Sequence, residues 1–164
     1  MISTSITYET IHLDKQNLPV ILFEQNNSSA SIGAFLHWHE QIELYYIISG
    51  GLALLCNGSE EWIYAGDVGF INWCEPHRGT RFLDDTKFFT IQVDLSLFDI
   101  KLLATSNEYV LGQYNDIPTY IKKNDDLNRI LKSLITEYQK KDNGYQYFIK
   151  SALYEILGTL IRLG

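Results

Sequence analysis

The sequence predicts a mainly-β domain, a barrel or sandwich, followed by an antiparallel pair of α-helices. Three observations carry this. Up to about residue 94, short runs rich in Ile, Val, Thr, Tyr, Phe and Trp alternate with turn residues. Beyond that point apolar residues recur at helical spacing. And 164 residues, 46% hydrophobic and 13% aromatic, supply one domain's worth of core.

The runs in the first part are Ile6–Ile11, Pro19–Glu24, Ile32–Trp38, Glu43–Ile48, Leu52–Cys56, Glu60–Tyr64, Val68–Asn72 and Phe88–Val93. Asn57-Gly58 between two of them marks a tight turn, since both residues tolerate positive φ. So many short strands at regular spacing favour a sandwich or barrel over an α/β fold. Residues 1–94 are therefore read as the barrel and 95–164 as a helical appendage. In the latter, Leu127, Ile130, Leu131, Leu134, Ile135 and Tyr138 form one face of an amphipathic helix, started by Asn124, Asp125 and Asp126. Asp142-Asn143-Gly144 breaks it, and a second helix follows, with a short helix also expected near Phe98–Ala104. The short connection predicts that the two long helices lie antiparallel.

Charge and cysteine content narrow the function. Thirteen Lys and Arg against twenty Asp and Glu give a net charge of −7, which argues against a self-contained nucleic-acid binder. No apolar run reaches the ~20 residues of a bilayer span. The start, Met1 to Ser5, has neither the basic nor the apolar stretch of a signal peptide. Cys56 and Cys74 form no C-x-x-C pair. A cytoplasmic protein with reduced thiols is expected.

Chemistry concentrates in two segments that hold three of the four histidines: His37-Trp38-His39 with Glu43, and Glu75-Pro76-His77. On a strand, residues two apart share a face, so His37 and His39 point the same way. Glu43 reaches that face from the next strand, and His77 from a third. Three imidazoles and a carboxylate would form a competent site for zinc, nickel, iron or manganese. They would equally serve as polar lining for a small ligand. By alternation Phe35, Tyr45 and Ile47 share this inward face. Phe35, Trp38, Tyr45, Trp62, Trp73 and Phe89 are rings that either stack on a ligand or fill core. Arg81 would hold an anionic or sugar ligand, or pair with Asp84 or Asp85 at the surface.

The spacing His37-x-His39-x3-Glu43-x6-Gly50, followed with fifteen residues between by Gly66 and then His77, resembles the cupin motifs. Ser31 stands where the first motif has its leading Gly. Asn72, Cys74 and Arg81 replace the Pro, Gly and Asn of the second. Taken with Gly66-Asp67-Val68 and Glu75-Pro76-His77, the segment from His37 to Gly50 looks like the sensor domain of AraC-type transcriptional regulators. That resemblance implies a cupin-type double-stranded β-helix with an antiparallel helix pair, a small-molecule effector, and a pocket of Phe35, His37, His39, Glu43, Tyr45, His77 and Arg81. It implies no catalytic residue, and a helix-turn-helix DNA-binding half beyond residue 164. The alternative is a stand-alone metal cupin enzyme, a dioxygenase or isomerase of a small metabolite. A homodimer is expected through the second helix, along Ile149, Leu153, Ile156, Leu157 and Leu160, with Tyr145, Tyr147, Phe148 and Tyr154 adding apolar surface.

Overall fold

The computed structural model describes residues 5–14, 17–27, 35–98 and 116–164. The strands are β1 (Thr7–Tyr8), β2 (Val20–Asn26), β3 (His37–Trp38), β4 (Ile42–Ser49), β5 (Gly51–Cys56), β6 (Ser59–Tyr64), β7 (Val68–Ile71), β8 (His77–Phe82), β9 (Lys87–Val93) and β10 (Tyr120–Ile121). They form two facing five-stranded sheets, ordered β1-β3-β8-β5-β6 and β10-β7-β4-β9-β2. Every pairing is antiparallel except that of β1 with β3. This is the sandwich or barrel that the strand spacing predicts, in the jelly-roll form that the cupin resemblance implies. The Asn57-Gly58 turn joins β5 to β6 with φ of 48° and 81°, as that dipeptide requires.

Parity along the strands sorts the side chains into two cores. On β4, Tyr45 and Ile47 point between the sheets and pack with Leu52, Leu54, Ile63, Ile71 and Phe88. The alternate residues Ile42, Leu44 and Tyr46 point outward, where Val20, Leu22, Phe89, Ile91 and Val93 join them. The helices α1 (Asp125–Lys140) and α2 (Tyr145–Leu163) cover this outer face. Asn124 caps α1, its Oδ1 accepting from Leu127 N–H at 2.9 Å, and Lys141 closes it in the left-handed conformation at φ 52°. Arg129 pairs with Glu155 at 2.8 Å, twelve residues before and eleven after the 141–144 turn, so the helices run antiparallel.

Several expectations change. The third strand expected to bring in His77 is β8, which runs on to Phe82 although composition marks no strand there, and β10 returns from the helical part to the edge of a sheet. One core runs across residue 94, so the boundary drawn there is not a seam. Of the short helix expected near Phe98–Ala104 only Phe98 is described, at the end of a 3-10 turn over Leu95–Phe98; 99–115 lie outside the described residues, as do 28–34, which include the first three residues of the Ile32–Trp38 run. The face assigned to dimerisation is core: Ile149, Leu153, Ile156 and Leu160 are at most 2% exposed and Leu157 is half-buried. They cover the sheet, because a barrel wall with an apolar outer face must bury it within the chain first. No helix among the described residues is long and apolar enough to cross a membrane.

Candidate metal and ligand site

The three predicted histidines meet between the sheets. His37 on β3 and His77 on β8 are direct register partners, their rings 4.4 Å apart. His39, in the turn after β3, lies 5.0 Å from the His77 ring. One ring nitrogen from each falls within 4.8 Å of the other two. His39 and His77 are buried, whereas the His37 side chain is 19% exposed and faces the opening.

Backbone carbonyls set the imidazoles. Nδ1 of His37, His39 and His77 lies 3.2, 3.1 and 2.8 Å from the carbonyl oxygens of Phe35, Gln41 and Glu75. A carbonyl only accepts, so each Nδ1 carries the proton and donates. In a neutral ring Nε2 is then a lone pair. Such backbone anchoring of the far nitrogen is how metal-binding histidines are oriented.

Glu43 arrives from β4 on the opposite sheet. Its Oε2 is 3.0 Å from His39 Nε2 and its Oε1 3.6 Å from His77 Nε2, while Gln92 Nε2 donates to Oε2 at 2.7 Å. Burial alone would raise the Glu43 pKa, but the hydrogen bonds and charges of His39 and His77 hold it far below the usual carboxylate range. Burial would lower His77, yet the Glu43 carboxylate beside it raises its pKa. Burial and the neighbouring His77 push His37 down. His77 Nε2 is buried with no hydrogen-bond partner.

With their protons on Nδ1, neutral His39 and His77 would offer the Glu43 carboxylate no donor, leaving it only the Gln92 amide. Extra protons or a cation between them complete the arrangement. The donors suit a divalent cation: two ligands of one tetrahedral zinc lie roughly 3.3 Å apart, given bonds of about 2.0–2.1 Å. The carboxylate-to-imidazole separations here are 3.0 and 3.6 Å. The orphaned His77 nitrogen and the three converging imidazoles, with Glu43 beside two of them, thus fit such an ion.

A cavity of about 410 Å³ opens beside this cluster, lined by Thr7, Tyr8, Glu9, Phe23, Gln25, Phe35, His37, Glu43, Tyr45, Thr90 and Gln92. Tyr45 forms its buried floor, its phenol kept well above its ordinary pKa by burial and the Glu43 charge. Phe35, 72% exposed, stands at the rim. Parity on β2 and β9 could have revealed Phe23, Gln25, Thr90 and Gln92, polar or aromatic residues alternating with the outward Leu22, Ile91 and Val93. Nothing in the sequence pattern marks Thr7, Tyr8 and Glu9.

Arg81 is not in the pocket. A β-bulge in β8, where Ala53–Leu54 oppose Arg81 and Gly79, reverses the parity set by His77. Arg81 therefore turns outward, pairs with Glu60 at 2.6 Å and lies over the Trp62 ring, while Phe82 turns in to stack on Phe88. Its surface partner is Glu60, not Asp84 or Asp85. Of the remaining rings, Trp73 and Phe89 pack on the helix side and Trp38 meets Tyr8.

The AraC-like ligand binding domain model matches residues 18–157. The chain belongs to the AraC-like ligand-binding domain family. Among solved structures, an apo variant of ToxT from Vibrio cholerae aligns over 92% of this chain and 58% of its own, at 9% identity and TM-score 0.59. Wild-type ToxT, described as bound to an unsaturated fatty acid, aligns over 87% and 55% at 9% identity and TM-score 0.52. A cupin protein from Bacteroides fragilis aligns over 56% of this AraC-like domain and 71% of its own length, at 23% identity and TM-score 0.37. The chain thus spans little more than half of either ToxT molecule. No curated protein matches it.

Proposed function

We propose that this AraC-like domain is the effector-sensing half of a cytoplasmic DNA-binding transcriptional regulator, with a small molecule entering the cavity beside His37 and Glu43. One observation carries the reading. The strands that line the cavity also carry the helices: Glu43 and Gln92 face inward on β4 and β9, and their neighbours Leu44, Ile91 and Val93 pack outward in the core shared with α1 and α2. A ligand that shifts either strand shifts the helix seat, which gives it the differential affinity for two arrangements that allostery needs. ToxT, with the same fold, has been captured with a small molecule, which supports an effector of that size class. DNA contact falls to a segment beyond residue 164, in keeping with the net charge of −7.

The same reading includes a divalent ion, zinc, nickel, iron or manganese, held by His37, His39, His77 and Glu43. Bound there, the ion would supply a Lewis-acid site for an effector oxygen. Tyr45 and the Gln92 amide shape the space around it, and Phe35 shields the mouth. It also includes a homodimer. Tyr147, Ser151, Tyr154, Gly158 and Ile161, spaced 4, 3, 4 and 3 apart, are exposed along the outer side of α2, the pattern of a helix-to-helix seam.

Calorimetric titration of small metabolites, with amide exchange followed in α1 and α2, tests the sensor reading. Binding in the barrel should slow exchange in both helices. Binding that leaves the helices unchanged would defeat it. The complete donor set favours one second reading, a metal-dependent cupin enzyme, for which turnover of a bound metabolite is the discriminating result.

A further inference from the structure

The histidine cluster has two sides, and Glu43 serves only one of them. Its oxygens lie near His39 and His77, while His37 Nε2 faces the other carboxylate of the cavity, Glu9 Oε2, at 3.3 Å. Glu9 would be a fifth donor beside the three imidazoles and Glu43, and 3.3 Å lies between the roughly 2.9 and 3.6 Å that neighbouring donors take on a five-coordinate zinc with bonds of about 2.0–2.1 Å. Charge points the same way: a divalent ion beside Glu43 alone keeps one positive charge, which the Glu9 carboxylate would offset.

Glu9 is placed there by backbone, not by chance of a long side chain. β1 lies parallel to β3 with Thr7 in register with His37 and Tyr8 with Trp38. The N–H groups of Thr7 and Glu9 donate to Leu36 O at 3.0 Å and Trp38 O at 2.9 Å, and the Tyr8 ring lies 4.7 Å from that of Trp38. This strand has only two residues and both are exposed, so little holds it beyond these contacts.

We propose that Glu9 is a further ligand to the cation of the His37, His39 and His77 cluster, so that metal binding fastens β1 across the cavity mouth. The proposal rests on the metal reading above. Zinc alone is the probe, with affinity read by competition against a chromophoric chelator and exchange of the Thr7 and Glu9 amides read by NMR. In the unmodified chain zinc should bind and slow both amides. Glu9→Gln, at a side chain 49% exposed, should fold normally, bind zinc at least about tenfold more weakly and lose the slowing; even an outer-shell partner is worth that much. His39→Ala should abolish binding. If Glu9→Gln keeps full affinity while His39→Ala loses it, or if zinc leaves both amides unchanged, the role of Glu9 is overturned and the metal site stands. If the unmodified chain takes up no zinc, both fall together.

Discussion

Gln92 and Glu43 face each other across β9 and β4, and Gln92 Nε2 donates to Glu43 Oε2 at 2.7 Å. Since a carboxylate only accepts, this bond fixes which end of the amide meets Glu43 and turns Gln92 Oε1 away from it. The carboxylate is thereby held against His39 and His77 with its charge intact. A ligand reaching the Gln92 side-chain carbonyl would act on the Glu43 carboxylate and on β9 together.

Gln92→Leu removes a buried hydrogen bond to an ionised group and leaves that group short of a donor. A loss of about 1.5–3 kcal/mol is expected. Urea unfolding followed by circular dichroism measures it, and an unchanged midpoint would mean that the bond adds nothing.

Two glycines should respond in opposite directions. A Cβ on Gly69 would meet Leu54 Cδ2 at 2.6 Å and Ile63 Cδ1 at 3.2 Å in the closed interior between the sheets. Gly69→Ala should therefore destabilise by about 1–3 kcal/mol. Gly158 lies inside α2, and an alanine methyl there would meet nothing within 4 Å. Gly158→Ala should stabilise by about 0.4–1 kcal/mol, through the lower entropy of the unfolded chain. Thermal midpoints of the two variants check both signs.

Neither thiol should react readily in the folded protein. Burial and the Glu75 carboxylate push Cys56 up to about 12, and burial with the Glu40 charge pushes Cys74 to about 11. Only the thiolate is nucleophilic, so iodoacetamide at neutral pH should leave both unmodified, and unfolding should expose both. Rapid native labelling of Cys56, detected by mass spectrometry, would contradict its burial.

The parts legible in sequence are those governed by simple periodicity. Strand parity puts His37, Glu43 and Tyr45 inward, and 3.6-residue spacing places both helices. Parity fails at Arg81 because a bulge adds a residue without any composition signal. β8 is hard to read because His77-Arg78-Gly79-Thr80-Arg81-Phe82 has a polar outer face and a glycine where Leu52 Cδ1 leaves only 2.8 Å for a Cβ. Glu9 is invisible for another reason: its position depends on a parallel pairing between segments some thirty residues apart. On α2 the periodic stripe is right as a helix face and wrong in its partner, which is the sheet of the same chain.

That last distinction sets two faces of α2 against each other in one experiment. Leu153 is 1% exposed within the core shared with the sheet, so Leu153→Glu buries an unpaired charge. It should abolish cooperative unfolding or lower the midpoint severely. Tyr147 and Ile161 are 78% and 37% exposed on the opposite side. The double variant Tyr147→Glu, Ile161→Glu should keep the native circular dichroism and unfold cooperatively, yet sediment as a monomer where the unmodified chain sediments as a dimer. A dimer that survives the double substitution would move the interface elsewhere. An unmodified chain that stays monomeric at high concentration would leave the outer face of α2 without this role, while the Leu153→Glu result would still report on the core.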